Sequence, residues 1–249
     1  MNKKLARLGK EMAWLKRDRP DYYAQGIKRL KTGEPLDYVI GWREFLGCKI
    51  DLSEKPLIPR EETEFWTEIA ISELKAQSAK RKTKTQNLKA LDIFSGSGCV
   101  GIAVLKHCSN IQMTFGEKEE KFVKQIKKNL KINKLTGRVP RSDVFSNIEG
   151  KFGYIFANPP YIPTKKSTVQ KSVKSYEPEQ ALWGGENGLF FINKFLSEAK
   201  NYLNPEGRIF MEFGYGQKGS IEKLLKKYDY KNWQFKKDQF GRWRFVVIE

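Results

Sequence analysis

A chain of 249 residues, 39% hydrophobic and 13% aromatic, is long enough to bury a full core as one α/β domain with a small appendage. It has no stretch of the roughly 20 apolar residues that a membrane-spanning helix needs, its charged start from Met1 to Arg19 is unlike a secretory signal, and Cys48, Cys99 and Cys108 form no CxxC pair, which argues against a disulfide framework or a zinc site and for the cytoplasm. The formal charge of +18 favours phosphates or an acidic partner, yet its lysines are scattered among many Asn, Ile and Phe residues, as a coding bias toward A and T also produces.

Leu5, Leu8, Met12 and Leu15 recur at helical spacing, and a second short helical stretch runs from Asp21 to Leu30. Two such helices cannot build a core alone. Residues 1–34 are therefore expected to pack on the main domain or to present a partner surface. Residues 35–88 read as a hairpin, a helix and a connector. The alternation from Phe45 to Leu52 predicts a small β-hairpin. After Leu57-Ile58-Pro59-Arg60 a helix is expected from near Glu61, with Thr63, Phe65, Trp66, Ile69, Ala70 and Leu74 along an apolar face. The basic tract Lys75 to Lys89 has the Ser, Thr and Gln content of a solvated connector and no interleaved aromatics, so it reads as a linker first and an RNA contact second.

Residues 89–249 carry the punctuation of a doubly wound α/β domain. Leu88 to Phe94 is apolar enough for a buried parallel strand, and it runs into Ser95-Gly96-Ser97-Gly98-Cys99-Val100-Gly101 before Ile102, Ala103 and Leu105 begin a helix. His107, the only histidine, falls near the end of that helix and reads as a surface residue. A Gly-rich turn lets backbone approach a ligand at the carboxyl end of a sheet, where such folds bind nucleotides. Alone it also suits a dehydrogenase or a kinase-like site, although no GK[ST] follows, as a P-loop requires. The acidic spacing narrows the choice. A second strand, Ile111 to Gly116, ends in Glu117, placed to take both ribose hydroxyls of an adenosine ligand. A third short strand, Arg138 to Ser142, ends in Asp143-Val144, placed to meet an adenine edge. A fourth, Tyr154-Ile155-Phe156-Ala157, delivers Asn158-Pro159-Pro160-Tyr161.

That tetrad is a nitrogen methylation signature. An amide or exocyclic amine is a poor nucleophile because its lone pair is delocalised. The Asn158 side-chain oxygen and the Pro159 carbonyl can each accept one hydrogen of an NH₂ group and so aim its lone pair at an electrophilic methyl. Proline removes a backbone donor and stiffens the chain, and Tyr161 can lie against the flat face of the amide or base. Beyond it, Phe190 to Leu203 is expected as a helix, Arg208 to Phe213 as a strand and Ser220 to Lys227 as a helix. Trp233 to Lys236 and Trp243 to Ile248 read as a closing hairpin.

Four successive strand ends thus carry Asp92 with the glycine loop, Glu117, Asp143 and Asn158, an order that resembles the class I S-adenosylmethionine-dependent methyltransferases. From Pro35 onward the chain more closely resembles the HemK-type glutamine methyltransferases that modify peptide chain release factors. The similar segments are residues 35–41, 57–64, the Asp92 loop, residues 158–163, Glu177-Pro178 with residues 181–185, Gly188-Leu189, and Met211-Glu212-Phe213-Gly214 with Gln217. This resemblance implies a Rossmann-like sheet of seven strands whose last hairpin is antiparallel. It implies S-adenosyl-L-methionine bound by Asp92, Phe94, Ser95, Gly96, Ser97, Gly98, Glu117, Asp143, Val144 and Asn158. It also implies transfer of a methyl group to the glutamine amide in the Gly-Gly-Gln (GGQ) loop of a release factor, with Asn158, Pro159, Pro160 and Tyr161 as the catalytic residues, in a protein expected to be a monomer. Three features depart from the family pattern: Phe94 stands where a glycine is common, Glu61 replaces a second proline, and the helical stretch before Pro35 is shorter than the bundle that helps dock the release factor. The rival readings are a ribosomal-protein glutamine methyltransferase and an RNA or DNA amino-methyltransferase, the latter favoured by the charge and Phe94. A non-catalytic binding module is a third, disfavoured by Asn158 and Glu117.

Overall fold

The computed structural model describes residues 3–80, 88–164 and 169–249. Two helices, α1 (Lys3–Asp18) and α2 (Tyr23–Lys31), pack together with a single helical turn, α3 (Leu36–Ile40). Leu15, Leu30, Val39 and Ile40 form the buried centre of this unit, with Leu8, Met12 and Ile27 packed around it. The hairpin follows as β1 (Trp42–Phe45) and β2 (Cys48–Asp51), so it begins three residues earlier than the alternation from Phe45 indicates. Its two-residue loop holds Leu46 at φ 47° and Gly47 at φ 72°, the doubly left-handed turn whose twist matches the flanking strands.

Helix α4 (Glu61–Lys80) begins where expected but continues through Lys80. Lys75 to Lys80 are thus helical rather than a connector, Lys89 belongs to the next strand, and residues 81–87 of that tract lie outside the described residues. The chain then alternates β3 (Leu88–Ile93), α5 (Cys99–His107), β4 (Ile111–Gly116), α6 (Glu120–Ile132) and β5 (Phe152–Ala157). It continues with α7 (Lys171–Tyr176), α8 (Phe190–Glu198), β6 (Leu203–Glu212), α9 (Lys218–Lys227), β7 (Trp233–Lys237) and β8 (Trp243–Ile248). The helix expected to reach Leu203 instead ends at Glu198, a 3₁₀ turn spans Ala199–Tyr202, and β6 starts five residues before Arg208.

The main sheet has the order β4-β3-β5-β6-β8-β7, with β8 antiparallel to both its neighbours and the other pairs parallel. Because successive side chains point to opposite faces, Ala90, Met113, Tyr154, Phe156 and Phe210 pack under α4 and α5, while Leu91, Ile93, Ile155, Ile209 and Met211 pack under α8 and α9. Each such side chain, fully buried, contributes about 1.5–3 kcal/mol. Helix and sheet layers therefore lock one another mainly through apolar contacts.

The sheet has six strands, not seven. Residues 138–142 do run parallel to β4, but only as two isolated bridges, Thr114 to Arg138 and Glu117 to Arg141. Arg138 N donates to Met113 O and Ser142 N to Glu117 O, at 3.0 and 2.8 Å. Between them stands Pro140, which has no N–H to give, so the ladder breaks at its middle rung. Among the described residues no helix is long and apolar enough to cross a membrane.

The chain runs from β3 outward to β4, then returns to lay β5 on the other side of β3. That reversal opens a crevice outside the carboxyl ends of β3 and β5, the usual ligand position in a doubly wound sheet. Asp92 is on the first strand and Asn158 directly follows the second.

Candidate active site at the sheet switch point

At the β3 end, Asp92 is buried and its Oδ2 accepts the Gly101 N–H at 2.9 Å. A Cβ at position 101 would sit 2.4 Å from the Phe115 ring, so only glycine lets α5 approach closely enough to make this bond. Burial, reinforced by the Glu117 charge, pushes the Asp92 carboxyl up to about 8 from an ordinary 3.8, against the pull of the Gly101 N–H. The folded protein then keeps this proton to about pH 8, whereas the unfolded chain loses it near pH 4. The stability the group contributes is complete below that lower value and is lost as pH rises toward 8. Asp92→Asn in the cofactor-free protein is expected to raise the melting temperature by an amount that grows from pH 5 to pH 8 and is constant above, checked by calorimetry across that range.

The loop after β3 is held from both sides. Ser95 Oγ donates to Asp92 O at 2.6 Å, and Asn129 Nδ2 on α6 donates to Ser97 O at 2.9 Å. Gly98 caps α5 behind the loop at φ 79°. Phe94 has φ 58°, a left-handed conformation in which glycine is at ease and other residues carry on the order of 1–3 kcal/mol of strain. Its ring packs at 6.1 Å from Phe191 and 6.2 Å from Phe195 on α8. Aromatic pairs of this kind contribute roughly 0.5–1.5 kcal/mol each, which offsets the strain and gives a physical reason for phenylalanine in a left-handed conformation here.

Glu117, at the end of β4, is 7% exposed. Its Oε2 accepts the Gly96 N–H at 2.8 Å and its Oε1 the Glu119 N–H at 2.9 Å. Burial raises its carboxyl, and those two N–H groups partly compensate. Each oxygen keeps a further lone pair, so the pair of ribose hydroxyls of an adenosine fits this donor set. Asp143 lies at the rim between Lys118 and Lys194, at 3.0 and 3.1 Å, and the two ammonium groups, Lys118 foremost, lower its carboxyl. Val144 has φ 54° and is held there by Ser142 Oγ donating to its carbonyl at 2.7 Å.

The fourth strand end closes the cleft. Asn158 and Pro160 share one cavity with Asp92, Phe94, Ser95, Gly96, Ser97, Glu117, Asp143 and Val144, and Pro59, Arg60 and Thr63 line it as well. The space, counted with its open mouth and the solvent in it, is about 1020 Å³. Gly98, Pro159 and Tyr161 do not line this cavity. The Tyr161 hydroxyl instead donates to Glu212 Oε1 at 2.9 Å, and its ring packs against the core beneath α8 and α9. Gln217 fixes the backbone here, accepting the Gly214 N–H at 2.8 Å and donating to Tyr161 O at 3.0 Å and Gly188 O at 3.1 Å. Glu177, buried, accepts Ile58 N at 3.2 Å and Arg60 Nη2 at 2.5 Å, which ties the segment after α7 to the start of α4.

Sequence reasoning placed Thr63 and Trp66 on the apolar face of α4 and missed their polar role, for both side chains donate to Glu212 at 2.7 Å. Helix α6 was likewise unassigned, although Phe122, Val123, Ile126 and Leu130 recur at helical spacing.

Residues 66–176 match the Methyltransferase small domain family. The release factor glutamine methyltransferase of Thermodesulfovibrio yellowstonii is 36% identical over 226 residues, spanning 90% of this chain and 79% of that protein. The Streptococcus pneumoniae protein of the same name is 32% identical over 224 residues, 89% and 77% of the two chains. Among solved structures, a methyltransferase from Pyrococcus furiosus superposes with a TM-score of 0.57 at 23% identity, over 81% of this chain and 88% of that one. A T. thermophilus 16S rRNA N2 G1207 methyltransferase superposes at 0.58 with 16% identity, over 84% and 49%. These last two likenesses are of fold. With the switch-point cleft and identity sustained along most of both sequences, the chain belongs to the family of release factor glutamine methyltransferases.

Proposed function

We propose that the protein methylates the side-chain amide nitrogen of the glutamine in the GGQ loop of a peptide chain release factor, with S-adenosyl-L-methionine as methyl donor. The observation that carries this reading is that Asn158 and Pro160 form a wall of the cavity that also contains Asp92 and Glu117, so acceptor and cofactor groups share one space. The name common to the relatives supports the choice of acceptor.

When bound, S-adenosyl-L-methionine supplies an electrophilic methyl on a sulfonium sulfur. Glu117 accepts the ribose hydroxyls while Gly96 N–H and Glu119 N–H keep its carboxylate still. Asn158 Oδ1 accepts one hydrogen of the glutamine NH₂ from the cavity wall, and the Pro159 carbonyl, outside the lining of the cavity itself, accepts the other, turning the lone pair into the cavity. Both dipoles also face the positive charge that grows on that nitrogen, where fixed oxygens stabilise it without reorganisation. No side chain acts as a strong base, because the alkylated amide sheds its proton readily. Pro159 and Pro160 stiffen this wall, and Phe94 with Phe191 excludes water from one side.

The test offers labelled methyl donor to the protein with an intact release factor, its GGQ→GGA variant, or total RNA. Label on the intact factor and on neither alternative is the expected result. Label on RNA, or equal label on the GGA variant, overturns the acceptor.

A further inference from the structure

The role of Asn158 depends on which way its amide points, because only Oδ1 facing the cavity accepts a hydrogen from an acceptor amide, while Nδ2 would repel it. Three polar side chains from two other elements bear on this choice. Asn158 Nδ2 donates to Thr63 Oγ1 at 3.3 Å, Thr63 Oγ1 donates to Glu212 Oε2 at 2.7 Å, and Trp66 Nε1 donates to the same Glu212 oxygen at 2.7 Å. Tyr161 reaches the other oxygen at 2.9 Å. Glu212 is 1% exposed, Thr63 2% and Trp66 fully buried, so solvent offers none of them an alternative partner.

We infer that Glu212 and Thr63 are positioning residues that set the orientation of the Asn158 amide. A carboxylate only accepts. Glu212 therefore takes the single hydroxyl proton of Thr63, and the Thr63 oxygen has nothing but lone pairs left to show Asn158. Of the two ends of the Asn158 amide, Nδ2 is the one that can meet a lone pair, and Oδ1 is left toward the cavity. The same carboxyl group, which burial pushes up and the Trp66, Thr63 and Tyr161 hydrogen bonds pull back down, also accepts from Tyr161, so one buried group fixes two side chains of the tetrad from behind. Glu212 itself does not border the cavity, and its effect passes entirely through its neighbours. Removing the acceptor at Glu212 frees the chain: with leucine there the Thr63 hydroxyl has no carboxylate to donate to, donates to Asn158 instead, and turns Oδ1 away, whereas glutamine keeps its oxygen toward Thr63 and the donor-only Trp66 N–H and leaves the chain as it is.

This inference rests on the acceptor role proposed for Asn158, and the test keeps the two apart. Single-turnover methylation of the release factor and calorimetric cofactor binding are measured for Asn158→Ala, Thr63→Val, Thr63→Ser, Glu212→Gln, Glu212→Leu and the Thr63→Val/Glu212→Leu pair. Thr63→Val keeps the shape of the side chain, and thermal melts identify any variant that is not folded. The expected result is a rate lowered by about 10–100-fold in Thr63→Val and in Glu212→Leu and within about threefold of the parent in Glu212→Gln, with cofactor affinity within about threefold of the parent throughout, as loss of an orienting interaction predicts. Thr63→Ser should restore the rate, and the pair should be no slower than its slower member, because both act through one bond. Activity retained by Asn158→Ala overturns the acceptor role and the relay with it. Activity lost in Asn158→Ala but retained in Thr63→Val overturns the relay alone, as does a pair whose losses multiply.

Discussion

Asn158→Ala is expected to lower the methylation rate at saturating cofactor by on the order of 10²–10³-fold, with cofactor affinity changed by no more than about threefold. The large effect follows from what is removed. Alanine deletes one of two fixed acceptors for the glutamine NH₂ and, with it, a dipole aimed at the nitrogen as it gains charge. The remaining Pro159 carbonyl holds one hydrogen and leaves the group free to rotate about that bond. The small effect on affinity follows from the position of Asn158 at one wall, away from Glu117, which provides the ribose contacts. Single-turnover rates with labelled methyl donor and calorimetric titration separate the two quantities. A variant that binds the cofactor normally and turns over at the parent rate would eliminate Asn158 as the group that holds the acceptor.

The second large effect is expected at the opposite end of the cavity. Glu117→Ala should weaken S-adenosyl-L-methionine binding by on the order of 10²–10⁴-fold, since hydrogen bonds to a charged group contribute about 1.5–3 kcal/mol each and two are lost. The substitution also strips the Gly96 and Glu119 N–H groups of their acceptor, which loosens the loop that faces the ligand. Glu117→Gln keeps the shape and one acceptor oxygen, so it should recover part of the affinity. Because neither change touches the Asn158 wall, the rate at saturating cofactor should stay within about fivefold of the parent. Unchanged affinity in Glu117→Ala would mean that the ribose is held elsewhere.

The strands that carry these two residues were legible because each is a short apolar run closed by a distinctive residue. Ala90 to Ile93, Met113 to Gly116 and Phe152 to Ala157 are buried on both faces, as a parallel sheet demands. The segment before Asp143 runs beside β4 with two arginines in it, and one imino nitrogen at Pro140 is enough to interrupt its pairing. The same strand ends carry Asp92, Glu117, Asp143 and Asn158, and the structure gathers all four around one cavity. The support behind the site was not legible. Thr63 meets Asn158 95 positions later and Glu212 149 positions later, and no periodicity in a single sequence reports a contact of that range. A threonine on an apolar helix face looks like core until its partner is known. The aromatic environment that makes Phe94 acceptable is formed by α8, about 100 residues downstream, and was hidden for the same reason.

Pro140 has a consequence beyond the strand count. A sheet that ends in a bare strand offers neighbouring molecules a row of unpaired donors and acceptors on which to assemble. Here the β4 margin is sheathed by residues 138–142, which fill part of that row; the N–H that Pro140 lacks faces β4, so the sheath is two isolated bridges rather than a continuous strand with a regular outer edge. The far margin, β7, carries Lys236 and Lys237 with a register break between them. Both rims are thereby blunted, one by a broken strand and the other by charge and a kink. That suits a chain rich in Ile and Phe to remaining dispersed at high concentration rather than joining edge to edge into fibres.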